Sequence, residues 1–204
     1  FNASINTVEF GTGDKAVKIG GENVFPLYSF DAAIENAPKV GIEITDFGME
    51  HEPECIKKYY EGCATLADMA RKAASMEGVD FLSFRMEGGD PNGANKSTEE
   101  LIGELKEIAD AVDLPLVVCG CKNVEKDAEL FSKAAEALNG KNAVILSAKE
   151  ENYKTVGAAA GLAYKQIVGA ESAVDINLAK QLNVLISQLG VDSKSVVMNV
   201  GSAA

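Results

Sequence analysis

An α/β fold built on a parallel sheet is what this sequence predicts, and two observations carry the prediction. From about residue 36 onward, short runs rich in β-branched residues alternate with amphipathic stretches that repeat their apolar positions every three or four residues. Polar or glycine-rich turns separate the runs, with no low-complexity linker between them. This alternation is what strands joined by crossover helices produce.

The strand candidates, in order, are "VGIEITDF" (40–47), "FLSFRME" (81–87), "PLVVCGC" (115–121), "NAVILSA" (142–148), "KQIVGA" (165–170) and "SVVMNV" (195–200). The helical stretches between them are 63–76, 98–112, 124–138, 152–165 and 177–189. Ser97 with Glu100, and Ser147 with Glu150, have the spacing of a capping box and mark two helix starts.

An open doubly wound sheet and a closed barrel both give this alternation. Glu43, Thr45, Ser83 and Arg85 lie inside short strands, which suits a barrel whose inward side chains stack in layers. The G-x-G-x-x-G turn of a dinucleotide-binding sheet is missing. The expectation is therefore a TIM (β/α)8 barrel over 36–204, incomplete here, with about two further units beyond the sixth strand. Residues 1–35 form a lead-in. Within it, two alternating runs around "GTGD" (6–21) predict a hairpin that plugs the bottom of the barrel or packs beside it. The chain starts on Phe1 and stops just after "VVMNV", so both ends are expected to be cut.

Composition narrows the function classes. The formal charge is −12, and the 19 basic residues are scattered among acids, so no nucleic-acid partner is expected. No apolar run is long enough to span a bilayer. Cys55, Cys63, Cys119 and Cys121 match neither a zinc, an iron–sulfur nor a secreted disulfide pattern, and a reducing cytoplasm fits them best. "CGC" reads as two small buried apolar side chains, and "KKYYEG" (57–62) as a solvated helix face.

In a barrel, functional groups gather where strands end. That rim comprises Asp46, 87–95, 119–123, 147–152, 171–177 and Asn199. It is rich in carboxylates and carboxamides, with no strand lysine for a Schiff base and no histidine except His51 in the first loop. Asp90, Asn92 and Asn95 in "GGDPNGAN" are candidates for holding a polar ligand, although every residue in that stretch also suits a tight turn. Asn152, Asp175 and Asn199 complete the candidate set, with helix capping as the competing role for Asp175. No catalytic residue and no metal ligand is expected.

Taken together, "INTVEFGTGDKAVKIGG", "GGDPNGANKS", "PLVVCGCKNVEKD", "ENYKT" and "DINLAKQLNVLI" resemble the small (delta) subunit of the corrinoid iron–sulfur protein of the acetyl-CoA synthase/decarbonylase, or Wood–Ljungdahl, pathway. The resemblance implies a TIM-barrel subunit paired with a larger (gamma) subunit, with a cobamide held between them and a [4Fe-4S] cluster on the partner. The pair would carry a methyl group from a methyl-tetrahydropterin methyltransferase to the carbon monoxide dehydrogenase/acetyl-CoA synthase, both transient partners. Asp90, Asn92, Asn95, Asn152, Asp175 and Asn199 would then bond the corrinoid's amide side chains. The alternative is a pterin-dependent methyltransferase barrel, in which Asp and Asn residues hold the pterin ring.

Overall fold

Six apolar runs do form one sheet. The computed structural model describes residues 4–23, 30 and 33–201. Its main strands are β3 (Gly41–Thr45), β4 (Phe81–Arg85), β5 (Leu116–Cys119), β6 (Val144–Ala148), β7 (Ile167–Glu171) and β8 (Val196–Asn199), following β1 (Val8–Phe10) and β2 (Val17–Ile19). The six pair in strictly sequential order and are parallel throughout. Sequential order combined with right-handed crossovers places every helix on one face, unlike the two-faced layout of a doubly wound sheet. The helices are α1 (Glu54–Tyr59), α2 (Leu66–Ala74), α3 (Thr98–Ala111), α4 (Val124–Ala137), α5 (Tyr153–Val156) and α6 (Ile176–Gln188). Each from α2 to α6 packs on the next. β3 and β8 are the two edges and do not pair with each other, so these six strands make an open sheet rather than a closed barrel.

Period-two alternation divides the strand side chains between two apolar layers. Ile44, Leu82, Phe84, Val118, Ile145, Val168 and Val196 join the helices in the main core. Phe81, Val117, Val144, Leu146, Ile167 and Val197 face the other way and meet Val8, Phe10 and Val17 of the hairpin. The hairpin is antiparallel, with Val8 opposite Ile19. The Gly11 amide donates to the Asn142 carbonyl and the Asn142 carboxamide donates to the Glu9 and Gly11 carbonyls, tying the hairpin to the start of β6. The hairpin that the "GTGD" turn predicted is therefore present, and it covers the N-terminal half of the helix-free face. Those parts of the 1–35 lead-in at 1–3, 24–29 and 31–32 lie outside the described residues, as do 202–204.

Some boundaries differ from the sequence pattern. Ser97 does cap α3, accepting from the Glu100 amide at 3.1 Å. Ser147 caps nothing: it lies within β6, and the next helix begins only at Tyr153. The expected 152–165 helix is one α-turn followed by a π-helical segment, Gly157–Ala163, whose small residues allow the wider coil to pack beneath Val191 and Leu189. The 63–76 stretch shortens to α2 because Thr65 and Asp68 form a full capping box there. "KKYYEG" begins inside α1, where Lys58 is exposed and Lys57 partly so, whereas Tyr60, at the helix end, is buried, so the stretch is only in part a solvated face.

Phe10 is 2% exposed and sits edge-on to Phe81 at 5.7 Å, the central contact between hairpin and sheet. Phe10→Ala should cost about 3–5 kcal/mol, as for other buried aromatic truncations. A fall in the urea midpoint with an unchanged slope would register that loss.

Candidate functional site

The C-terminal ends of the strands carry two polar groups of residues, and Asp46 anchors the first. It follows β3, where alternation directs it toward the helices, and its carboxylate is fully buried. Both oxygens accept from the Gly88 amide, at 2.9 and 3.2 Å. Lys96 Nζ reaches Asp46 Oδ2 at 3.0 Å and donates to the Asp46 carbonyl at 2.9 Å. The Lys96 amide in turn donates to the Gly88 carbonyl at 2.8 Å, closing the base of the 88–96 loop. One carboxylate thus pins both ends of the loop. Position 88 must be glycine, because a β-carbon there would collide with Asp46 Oδ2.

Lys96 also bonds Glu104 Oε1 at 3.2 Å and lies 5.5 Å from the centre of the Phe47 ring. Burial opposes its charge, but the hydrogen bonds and charges of Asp46 and Glu104 outweigh it and raise its pKa. Glu104 responds in the opposite sense for a carboxylate. Burial raises its pKa more than Lys96 lowers it, and its Oε2 has no hydrogen-bond partner. The asymmetry is physical: the lysine is shared between two acids, and the buried Asp46 makes the closer contact.

Beyond this base the loop is held by its own bonds. Asp90 Oδ1 accepts from the Asn92 amide at 3.0 Å and its carboxamide at 3.2 Å, while the Asp90 carbonyl accepts from the Gly93 and Asn95 amides. Asn95 occupies the left-handed region at φ 52°. Residues 91–95 are exposed. The Asn95 carboxamide makes no hydrogen bond among the described residues, leaving an uncharged donor and acceptor facing outward.

The second group joins the ends of β6, β7 and β8. Asn199 Nδ2 donates to Ser147 Oγ at 3.4 Å and its Oδ1 accepts from the Gly201 amide. Lys149 pairs with Glu171 at 3.6 Å. Asn152, 4% exposed, accepts from the Lys149 amide at 2.7 Å and donates to the Val124 carbonyl, linking this loop to α4. Asp175 caps α6, accepting from the Asn177 and Leu178 amides. The structure therefore places Asp90, Asn92 and Asn95 on one loop and Asn152, Asp175 and Asn199 around another set of strand ends. Most of these groups already have partners of their own.

Between the two groups, the open half of the helix-free face is polar. Arg85 forks onto Glu43 through two 2.8 Å hydrogen bonds. That carboxylate raises the Arg85 pKa still further. Ser83 lies 3.5 Å from the Cys119 thiol, which burial raises. Cys121 is also buried and pushed up to about 11 by burial. Its amide donates to the buried Asp127 at 2.7 Å. Neither thiol is an ionised nucleophile at neutral pH. Among the described residues, no cluster of three His, Cys, Asp or Glu side chains could hold a metal ion. No helix there is long and apolar enough to cross a membrane.

The pattern did not expose Lys96 and Glu104, because Lys96 precedes α3 and their eight-residue separation matches no helical pairing rule. Lys96→Met strands the buried Asp46 charge and should cost about 3–5 kcal/mol in urea unfolding. Glu104→Gln should act differently. Because Glu104 binds its proton more tightly folded than unfolded, stability declines as pH rises from the ordinary carboxylate value through the raised folded one. The glutamine variant should flatten that slope in pH-dependent unfolding without loss of stability at pH 7.

Comparison with known proteins covers nearly the whole chain. The family model of the CO dehydrogenase/acetyl-CoA synthase delta subunit matches residues 7–204. The acetyl-CoA decarbonylase/synthase complex subunit delta of Methanothermobacter thermautotrophicus is 30% identical over 207 residues, covering 100% of this chain and 52% of the relative. The Methanocaldococcus jannaschii subunit is 31% identical over 198 residues, covering 96% and 48%. The Archaeoglobus fulgidus subunit is 30% identical over 199 residues, covering 95% and 43%. The chain spans about half the length of these relatives. It belongs to the CO dehydrogenase/acetyl-CoA synthase delta subunit family.

Proposed function

We propose that this chain is the barrel part of a corrinoid protein's small subunit. With a larger (gamma) subunit it holds a cobamide and carries methyl groups between a methyl-tetrahydropterin methyltransferase and the acetyl-CoA synthase. Family membership over residues 7–204 is the observation that carries this reading. The named relatives are subunits of a multi-subunit complex, so other subunits of that complex are the expected partners. The sequential, singly wound sheet would be six-eighths of a TIM barrel, closed by units from the length of the relatives that this chain does not span.

The rim chemistry suits a carrier. Arg85, Lys96 and Lys149 each pair with a carboxylate, and the rim-side thiols of Cys119 and Cys121 stay protonated, so these described residues offer no activated nucleophile. What it offers outward is the amide-rich tip at Asn92 and Asn95, with Asn199 beside the second group. Uncharged carboxamides fit a corrinoid's propionamide periphery, accepting and donating without placing charge beside it. A cobamide supplies the methyl-accepting cobalt; the residues here would orient its edge and exclude water. The [4Fe-4S] cluster would reside on the partner.

Purification with the native large subunit should give a complex with corrinoid absorption in the visible, and Asn92→Ala with Asn95→Ala should lower the retained corrinoid or weaken pairing. If the isolated chain instead bound methyl-tetrahydrofolate and methylated free cobalamin, the pterin-dependent methyltransferase reading would replace this one.

A further inference from the structure

The loop tip contains an Asn-Gly pair, Asn92–Gly93, and the sequence contains one other, Asn139–Gly140. Such pairs can modify themselves, because glycine has no side chain to obstruct attack by its amide nitrogen on the preceding carboxamide. At the tip, a bond would form between Gly93 N and Asn92 Cγ while the Cγ–Nδ2 bond breaks. The carboxamide nitrogen leaves as ammonia, taking up the amide proton. Water then opens the cyclic imide to aspartate or isoaspartate. The reaction needs the amide nitrogen free to lose its proton and the carboxamide free to rotate over it.

Both pairs are exposed, yet the fold treats them differently. At the tip, the Gly93 amide donates to the Asp90 carbonyl at 2.9 Å. The Asn92 amide and carboxamide both donate to Asp90 Oδ1. The Asp90 backbone carbonyl therefore occupies the attacking N–H, while its carboxylate, the part that Asp90→Ala removes, anchors the group under attack. Asn139 and Gly140 follow α4, with Gly140 at φ 83°. The Gly140 amide and the Asn139 carboxamide make no hydrogen bond among the described residues.

We infer that Asp90 guards Asn92 against deamidation and that the chain deamidates first at Asn139. The guard keeps an additional negative charge, and an isopeptide kink, out of the rim loop. This inference does not depend on what the rim binds.

The test compares folded wild type, Asp90→Ala and Asp90→Asn, with urea-unfolded wild type as reference. Samples are incubated at mildly alkaline pH and digested, and aspartate plus isoaspartate at 92 and 139 are quantified by mass spectrometry. In folded wild type, conversion at 139 should run severalfold ahead of 92, and unfolding should bring the two rates together. Asp90→Ala should speed conversion at 92 severalfold and leave 139 unchanged. Asp90→Asn retains an acceptor oxygen and should stay close to wild type. Equal rates at the two sites in the folded protein, or a ratio unaltered by unfolding, would overturn the inference. So would an Asp90→Ala rate at 92 equal to wild type, or an Asp90→Asn rate equal to that of Asp90→Ala. Should Asp90→Ala fail to fold, the wild-type comparison and Asp90→Asn still decide.

Discussion

The arrangement of this rim depends on a single buried carboxylate. Asp46 lies at the end of β3, out of water, and the cost of holding its charge there is offset by two donors from one loop, the Gly88 amide and Lys96 Nζ. A buried ion is tolerated only when its partners are fixed, so the constraint runs both ways: the loop satisfies Asp46, and Asp46 defines the loop. Gly88 allows the approach and Lys96 completes it. Asp127 repeats the scheme one strand along, accepting from the Cys121 amide beside Gly120, where a β-carbon would strike the carboxylate. Two neighbouring βα turns are thus built on the same device, an inward acid paired with a close-approach glycine.

This device explains why turn chemistry and ligand chemistry look alike in such loops. Asp90 bonds to the segment that follows it, Asp175 caps a helix and Asn152 bridges two loops. Residues of this kind shape the rim, and the groups they leave outward are few: the carboxamides at the loop tip and the end of β8.

Much of the fold was legible in the sequence because period-two and period-3.6 patterns record burial directly. All six strands of the main sheet, and the hairpin with its "GTGD" turn, lie where alternation put them. Ser147 misled because a capping box is only a spacing, and the same residues fit inside β6. The π-helical stretch was hidden because alanine and glycine fit several helical coils equally well. Barrel closure is a property of strand number, which six strands by themselves do not supply. Within the site, the loop was visible from its glycines and asparagines, whereas the Asp46–Lys96–Glu104 cluster is assembled by a tertiary contact in which Lys96 reaches Asp46, 50 positions earlier, while also bonding Glu104. No local pattern encodes a meeting of that kind.

The hairpin carries a directional consequence. With Val8, Phe10 and Val17 packed over the start of β6 and β7, the helix-free face is sealed at one end and polar at the other. Arg85 and Glu43 therefore sit at the end of this face that the hairpin leaves uncovered. Whatever approaches this face meets charge and hydrogen-bonding groups first, because the hairpin's apolar side chains already occupy the other end.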